Sequence, residues 1–493
     1  MKVTLDLDSV DSYKLFLRIK GLPQYQFTGR EASFPDEYAT RLGIGTDGAS
    51  LAYAYRPSPF LFDYQAYGAE LAIRKRKFAM FWRCGIGKTL VIGEFARHGL
   101  EVLPTSKAGL IVCPLMVIDQ TIDEFQRFYG ESLPIEQVRA ADLPRWTAEG
   151  KGRLGITNYE ALTDKVSQGR LGLLIPDESS IMKSHYGEYG QQLIRLGRGL
   201  EWKLALTGTP APNDRIEFAN HAVFLDAFPT TNAFLARFFV NRGQTEERWE
   251  IKPHALKPFY RALSHWCMFM SSPATYGFKD NAEPLPPIHT HIHNIDLTSE
   301  QSEATRNLTG MLLPINPGGI TTRSKLSQIA KGQHNGKKID SLKPAFIKGL
   351  VDSWPDESTI IWCRFNPEQD GIARMFPDGA DISGATKYEA RKPLIADFKA
   401  GRRKVLVSKA DVLGYGLNLQ VCTRMVFSSL DDSYEKYHQA VSRANRVGST
   451  RPLNVHIATT ELEEPMIANV LRKAARIDED TLVQEEMFRE VAC

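Results

Sequence analysis

The stretch Phe78-Ala79-Met80-Phe81-Trp82-Arg83-Cys84-Gly85-Ile86-Gly87-Lys88-Thr89 decides what kind of chain this is. An apolar strand, a glycine turn and a Lys-Thr pair follow in that order, and Leu90 to His98 continues as a helix. A loop that receives a triphosphate needs backbone N–H groups converging on its oxygens, and glycine lets the chain come that close. The helix that starts there aims its positive end at the same oxygens. Gly85 and Gly87 shape the cradle, Lys88 is placed to reach the β/γ-phosphates of ATP, and Thr89 to ligate Mg²⁺. The full pattern has another glycine five residues before Gly87, and Trp82 stands there instead. Alone, the segment also reads as an ordinary glycine turn, so its neighbours must decide.

Outward from the loop, short apolar strands alternate with amphipathic helices. Gly109 to Pro114 reads as a strand and Asp119 to Phe128 as a helix; Leu171 to Ile175 is another apolar run, stopped by Pro176. Continuous apolar strands alternating with helices call for a parallel sheet covered on both faces. The aromatic-rich segment 228–278 breaks the rhythm and reads as a helical insertion, for example Leu256 to Met270. Glu283-Pro284-Leu285-Pro286-Pro287 is a stiff extended linker. Alternation then resumes at Thr359 to Cys363, Lys404 to Ser408 and Arg424 to Phe427. The fold class expected is α/β. A first lobe spans 59–280, a linker 281–295 and a second lobe 296–480, with a small accessory module at 1–58 and a C-terminal tail at 481–493.

The chemistry of ATP cleavage needs acids beyond the loop. Asp177-Glu178 follows an apolar strand, so Asp177 can hold Mg²⁺ and Glu178 can orient or deprotonate the attacking water. Two adjacent acids are also common on solvated loops, and it is their place in this order that favours the metal reading. Thr207-Gly208-Thr209-Pro210 closes another apolar run, and small hydroxyls beside a phosphate can sense nucleotide state, although a plain strand-to-turn junction looks the same. In the second lobe Arg443 and Arg446 are three apart, on one face of a helix beginning near Gln439. They are either solvated or able to reach the γ-phosphate as arginine fingers.

In this order the motifs resemble the Swi/Snf-type branch of helicase superfamily two, the double-stranded-DNA translocases, from about Phe62 to about Ala475. The resemblance implies two RecA-like lobes that close on ATP·Mg²⁺ and step along duplex DNA. It implies an adenine-reading role for Gln65, motifs Ia and Ib at Ile111 to Pro114 and Thr157-Asn158-Tyr159-Glu160, and motif III at Trp202 to Asn213. It places motif V, with Gly414, Gly416 and Asn418, between Ser408 and Gln420, and motif VI from Gln439 to Gly448. Thr207, Thr209 and Gln439 would then couple the ATP site to the track, and Gly416 would touch nucleotide. Candidate contacts to the nucleic-acid backbone are Pro114, Thr157, Asn158, Arg364, Ser383, Gly384, Ser408 and Lys409, each an ordinary loop residue if judged singly. Lys325 and Lys331 could also face phosphate, though a solvated helix face suits them better. Two departures stand out. The acid box Asp-Glu-Ala-His reads Asp177-Glu178-Ser179-Ser180 here, and Asp431-Asp432-Ser433 replaces Trp-Asn-Pro before motif VI.

Composition excludes other classes. With 43% hydrophobic and 24% charged residues the chain is globular, and 493 residues suit two or three domains. A net charge of +3 carries no basic tail, so any nucleic-acid surface must be a local cluster inside a cleft. Six scattered cysteines lack zinc spacing and suit a reducing, cytoplasmic setting, and the lack of accessory domains suits a bacterium or a phage-infected cell. No run approaches the roughly 20 apolar residues that cross a bilayer, and the N-terminus is not a signal peptide. The chain reads as a monomer with unknown protein partners. A strand-separating DNA or RNA helicase and a non-motor, ATP-gated clamp or adaptor stay open as alternatives.

Overall fold

Lys77–Trp82, the strand before the glycine loop, lies near one edge of a seven-stranded parallel sheet. The order is Cys267–Met270, Lys77–Trp82, Trp202–Leu206, Leu171–Pro176, Ala108–Cys113, Leu154–Asn158 and Ile135–Gln137, every neighbouring pair parallel. Four of these strands are wholly buried, which is why they read as unbroken apolar runs rather than alternating ones. The structure is a computed structural model that describes all residues except 7, 40–41, 45–54, 185–186, 244–248, 280–284, 311–319, 414–416, 431–432, 447–448 and 493.

The chain divides into two units. The first comprises Met1–Cys113, Ile118–Asn281 and Ile477–Cys493; the second comprises Pro114–Val117 and Ala282–Arg476. The second unit holds a six-stranded parallel sheet in the order Ile288–Asn294, Leu453–Thr459, Arg424–Phe427, Thr359–Cys363, Val405–Lys409 and Ala380–Ile382. Two parallel sheets with helical crossovers are the two α/β lobes expected from the alternating pattern. The N-terminal residues add a three-stranded antiparallel sheet and the helix Val10–Lys20, gathered around Ile19, Leu22, Ala32 and Phe34.

Three expectations about segment boundaries change. The run 228–278 is not purely helical: its helix stops at Trp266, and Cys267–Met270 becomes the edge strand of the first sheet. Of the extended linker, Ile288–Asn294 is a strand that pairs with Leu453–Thr459 through seven residues; Glu283 and Pro284 lie outside the described residues. The tail expected at 481–493 is helical over its described residues, 481–492. They continue the helix Glu464–Ala492, whose residues from Ile477 onward belong to the first unit. There Asp480 takes a two-pronged bond from Arg215 and accepts from the Tyr260 hydroxyl at 2.6 Å, while Met487 and Phe488 are buried. Asp480→Ala leaves a partly buried guanidinium and phenol without their acceptor. It should destabilise the first unit by about 2–3 kcal/mol, read as a lower midpoint in denaturant unfolding.

Candidate ATP site

Three motifs meet at the C-terminal ends of three neighbouring strands, where the phosphate loop follows Trp82, the acid box follows Pro176 and the Thr207 turn follows Leu206. In parallel sheets this edge is where loops diverge and ligands sit. Gly85 and Gly87 have φ of +92° and +74°, a region that side chains disfavour, and Gly87 caps the helix Lys88–Val102. A Cβ on Gly87 would collide with the Gln65 amide, and one on Gly208 would come 3.1 Å from Cys84 Sγ. The loop is therefore braced by the Thr207 turn on one side and by the helix Asp63–Lys75 on the other. Lys88 folds back and donates to the Trp82 carbonyl at 3.0 Å.

Trp82 replaces the missing glycine without harm because it is the last strand residue and its side chain points away from the loop. Its ring is fully buried against Gly68 of the preceding helix, where a Cβ could not fit. Only its carbonyl faces the lysine.

The acid box is held with unusual backbone geometry. Glu178 is a non-glycine residue with φ +52° and ψ +49°, a conformation that needs support from its surroundings. The support is visible on each side. Thr207 Oγ1 donates to Glu178 Oε2 at 3.2 Å, and Tyr159 donates to the Asp177 carbonyl at 2.5 Å. Behind the box the helix Phe218–Phe224 sends Asn220 to the carbonyls of Met182 and Ser184, both at 2.7 Å, and His221 to Ser179 Oγ at 3.0 Å. Ser179 and His221 are wholly buried, and burial pushes the imidazole down to about 4, so it is neutral at physiological pH. The box that lacks its own histidine is thus backed by one from 42 residues downstream.

Burial, then the neighbouring Glu178 charge, raises the Asp177 carboxyl to about 7, and Lys88 pulls in the opposite direction. A carboxylate this short of compensation is what a divalent cation relieves, and the glycine cradle beside it fits a triphosphate. Among the described residues no group of three or more His, Cys, Asp or Glu could hold a metal. Magnesium bound through one hydroxyl, one carboxylate and phosphate oxygens needs no such group.

Several expected roles change. Gln65 is 2% exposed, its oxygen accepts from the Phe62 N–H, and its nitrogen donates to the Ile86 and Gly87 carbonyls, so it braces the loop rather than presenting an edge to adenine. Thr209 contributes through its N–H, which donates to Thr207 Oγ1 at 3.2 Å. Thr157 is fully buried with its hydroxyl on the Val138 carbonyl, and Ser408 is fully buried with its hydroxyl on that of Ile382, so both tie strands rather than offer donors to a phosphate. Pro114 is buried, and the Asn158 amide bonds Glu160 at 2.6 Å. Lys409 donates to Asn366, whereas Arg364 and Gly384 are exposed and Ser383 is partly so.

In the second unit, the helix carrying Gln439 ends at Val441, so Arg443 and Arg446 do not lie on one helical face. The chain tightens because the Arg443 carbonyl receives the Leu419 N–H and the Ala444 carbonyl receives the Ser449 hydroxyl, removing two acceptors a longer helix would use. Arg443 is 5% exposed and Arg446 is partly exposed. Gln439 donates to Glu435 at 3.2 Å. Lys331 does not sit on a solvated face. It is buried in an ion pair with Glu463 at 2.7 Å. Gly414, Gly416, Asp431 and Asp432 lie outside the described residues.

Residues 79–345, more than half the chain, match the SNF2-related domain, and residues 342–448 match the helicase conserved C-terminal domain. Among similar proteins, putative protein p41 of Acyrthosiphon pisum secondary endosymbiont phage 1 is 23% identical over 81% of this chain and 93% of its own length. The ATP-dependent DNA helicase DDM1 of Arabidopsis thaliana is 22% identical over 79% of this chain and 57% of its own. The mouse DNA annealing helicase and endonuclease ZRANB3 is 23% identical over 84% and 40% respectively. The chain therefore spans nearly all of the phage protein but about half or less of the two eukaryotic ones. The Sulfolobus solfataricus SWI2/SNF2 ATPase core in complex with dsDNA covers 89% of this chain and 98% of its own at 19% identity and a TM-score of 0.41.

Proposed function

The chain belongs to the SNF2-related family, and from that premise we propose that it is an ATP-driven translocase on double-stranded DNA. The observation that carries the reading is the alignment of the phosphate loop, the acid box and the Thr207 turn on adjacent strand ends, with Thr207 bonded to the water-handling acid. Lys88 leaves the Trp82 carbonyl to meet the β/γ-phosphates, and Thr89 and Asp177 hold Mg²⁺, which neutralises phosphate charge when bound. Glu178 accepts a proton from, or orients, the attacking water. Arg443 and Arg446 of the second lobe stabilise the charge that develops on the transferred phosphoryl group. Arg364, Ser383, Gly384, Lys409 and Asn158 are the proposed contacts to the DNA backbone, and such contacts track phosphates without reading sequence.

Thr207 links nucleotide state to Glu178, so Thr207→Val, which keeps the shape and removes the donor, should lower kcat for ATP on the order of tenfold with little change in KM. Unaltered kcat in this variant removes Thr207 from the coupling path. The reading itself is tested by ATPase rate against single-stranded DNA, duplex DNA and RNA of varied length. Duplex DNA should stimulate most, with the rate rising with length and then levelling. Stronger stimulation by single strands or by RNA would contradict it.

A further inference from the structure

The first unit has a large concavity at the other end of the sheet from the candidate ATP site. Lys77 opens the strand whose far end feeds the phosphate loop, about 16 Å away at the rise of a parallel strand. Around Lys77 two clefts of about 840 Å³ and 310 Å³ adjoin, sharing Asp226, His265 and Trp266. One wall is the N-terminal module, the other the helices of the first lobe.

The charge along these walls is one-sided. Six cationic side chains line the two clefts: Lys2, Arg74, Lys75, Lys77, Arg198 and Arg237. Asp226 is the one carboxylate residue in the lining, and Lys77 and Lys203 each hold it at 2.8 Å, which keeps its carboxyl below the usual range. No carboxylate pairs with Arg74, Arg198 or Arg237 among the described residues. In a chain of net charge +3 this is a local basic cluster inside a cleft, the form that nucleic-acid binding has to take here.

Aromatic rings are interleaved with these charges. The Arg237 guanidinium lies 5.7 Å from the ring centres of both Tyr25 and Phe228, and both rings line the cleft and stay partly exposed. Trp266, 3% exposed and part of both linings, carries a buried indole N–H with no hydrogen-bond partner among the described residues.

From these features we propose that the cleft between the N-terminal module and the first lobe binds a single strand of nucleic acid. Phosphates lie along Arg198, Arg237 and Arg74, and bases stack on Tyr25 and Phe228. A duplex offers its phosphates but keeps its bases stacked on each other, leaving the rings unused. An unpaired strand engages both. The site is independent of the ATP-site assignment, because it shares no residue with the phosphate loop, the acid box or the Thr207 turn.

The test is anisotropy of a fluorescein-labelled 20-mer of thymidylate on the full chain without nucleotide, alongside a blunt 20-base-pair duplex. The double variant Arg198→Glu/Arg237→Glu should weaken the single strand at least tenfold and leave duplex affinity and duplex-stimulated ATPase within twofold. Arg198→Gln/Arg237→Gln changes less and guards against misfolding. It should lower the slope of log affinity against log salt by roughly 1.4 for two lost phosphate contacts. The proposal is overturned if wild-type protein does not bind the 20-mer at 10 µM protein (on the order of non-specific affinity). It is also overturned if the variants lose single-strand and duplex affinity equally. Displacement of the 20-mer by poly-glutamate as readily as by unlabelled strand would make the cleft an acidic-peptide site, and also overturns it.

Discussion

Lys88→Ala is expected to lower DNA-stimulated ATP turnover by at least on the order of 10³, with the fold intact. The lysine opens the helix that follows the glycine cradle, and its present bond to the Trp82 carbonyl is a resting contact that an alanine variant can lose without exposing core. Phosphoryl transfer leaves little covalent work to the protein, so removing charge from the phosphates acts directly on the barrier. Arg446→Ala should behave differently. It should spare ATP affinity and lose kcat, because a group that acts only on the developing charge contributes nothing to ground-state binding. Undiminished turnover in Lys88→Ala would remove the fuel site from the loop. A collapse of ATP affinity with kcat intact in Arg446→Ala would remove the finger.

Glu463→Ala should destabilise the second unit by about 3–5 kcal/mol, enough to unfold it or nearly so. Glu463 is wholly buried and carries two lysines, Lys331 at 2.7 Å and Lys343, which also donates to the Ser428 carbonyl at 2.9 Å. Removing the acid strands two buried ammonium groups, which costs far more than the pair contributes. The lysines hold the Glu463 carboxyl well below the usual carboxylate range, to about 2. Its contribution is therefore fully present above the unfolded pKa of about 4.3 and is lost as pH falls through the folded value. Denaturant midpoints measured between pH 5 and pH 2 should fall, and the fall attributable to this residue should vanish in Glu463→Gln. A flat wild-type profile over that window would contradict the assignment.

The sheet strands were legible because buried parallel strands are unbroken apolar runs: Phe78 to Trp82, Gly109 to Cys113 and Leu171 to Ile175 all fall within the strands found. The segment Leu256 to Met270 was not, since Cys267 to Met270 is a four-residue apolar run that periodicity cannot tell from the helix before it. The helix end at Val441 was hidden because no glycine or proline interrupts Ser442 to Arg446 and the stop comes from donors outside the helix, the Leu419 N–H and the Ser449 hydroxyl. In the site, Lys88, Asp177 and Glu178 carry their chemistry in their spacing. Thr157 and Ser408 misled, because a hydroxyl at a strand end looks alike whether it faces a phosphate or a neighbouring strand. His221 left no local trace: its partner Ser179 is 42 residues away, and a lone histidine in Phe218 to Phe224 is ordinary core. The basic cleft was equally hidden, since its cations come from separate stretches near residues 2, 75, 198 and 237.

The central claim is movement along duplex DNA driven by the Lys88 site, and triplex displacement measures it most directly. A labelled third strand placed downstream on a blunt duplex should be released by wild-type protein with ATP. It should stay bound with a non-hydrolysable analogue or with Lys88→Ala. Release without hydrolysis, or none with ATP while a forked duplex is unwound, would contradict the account.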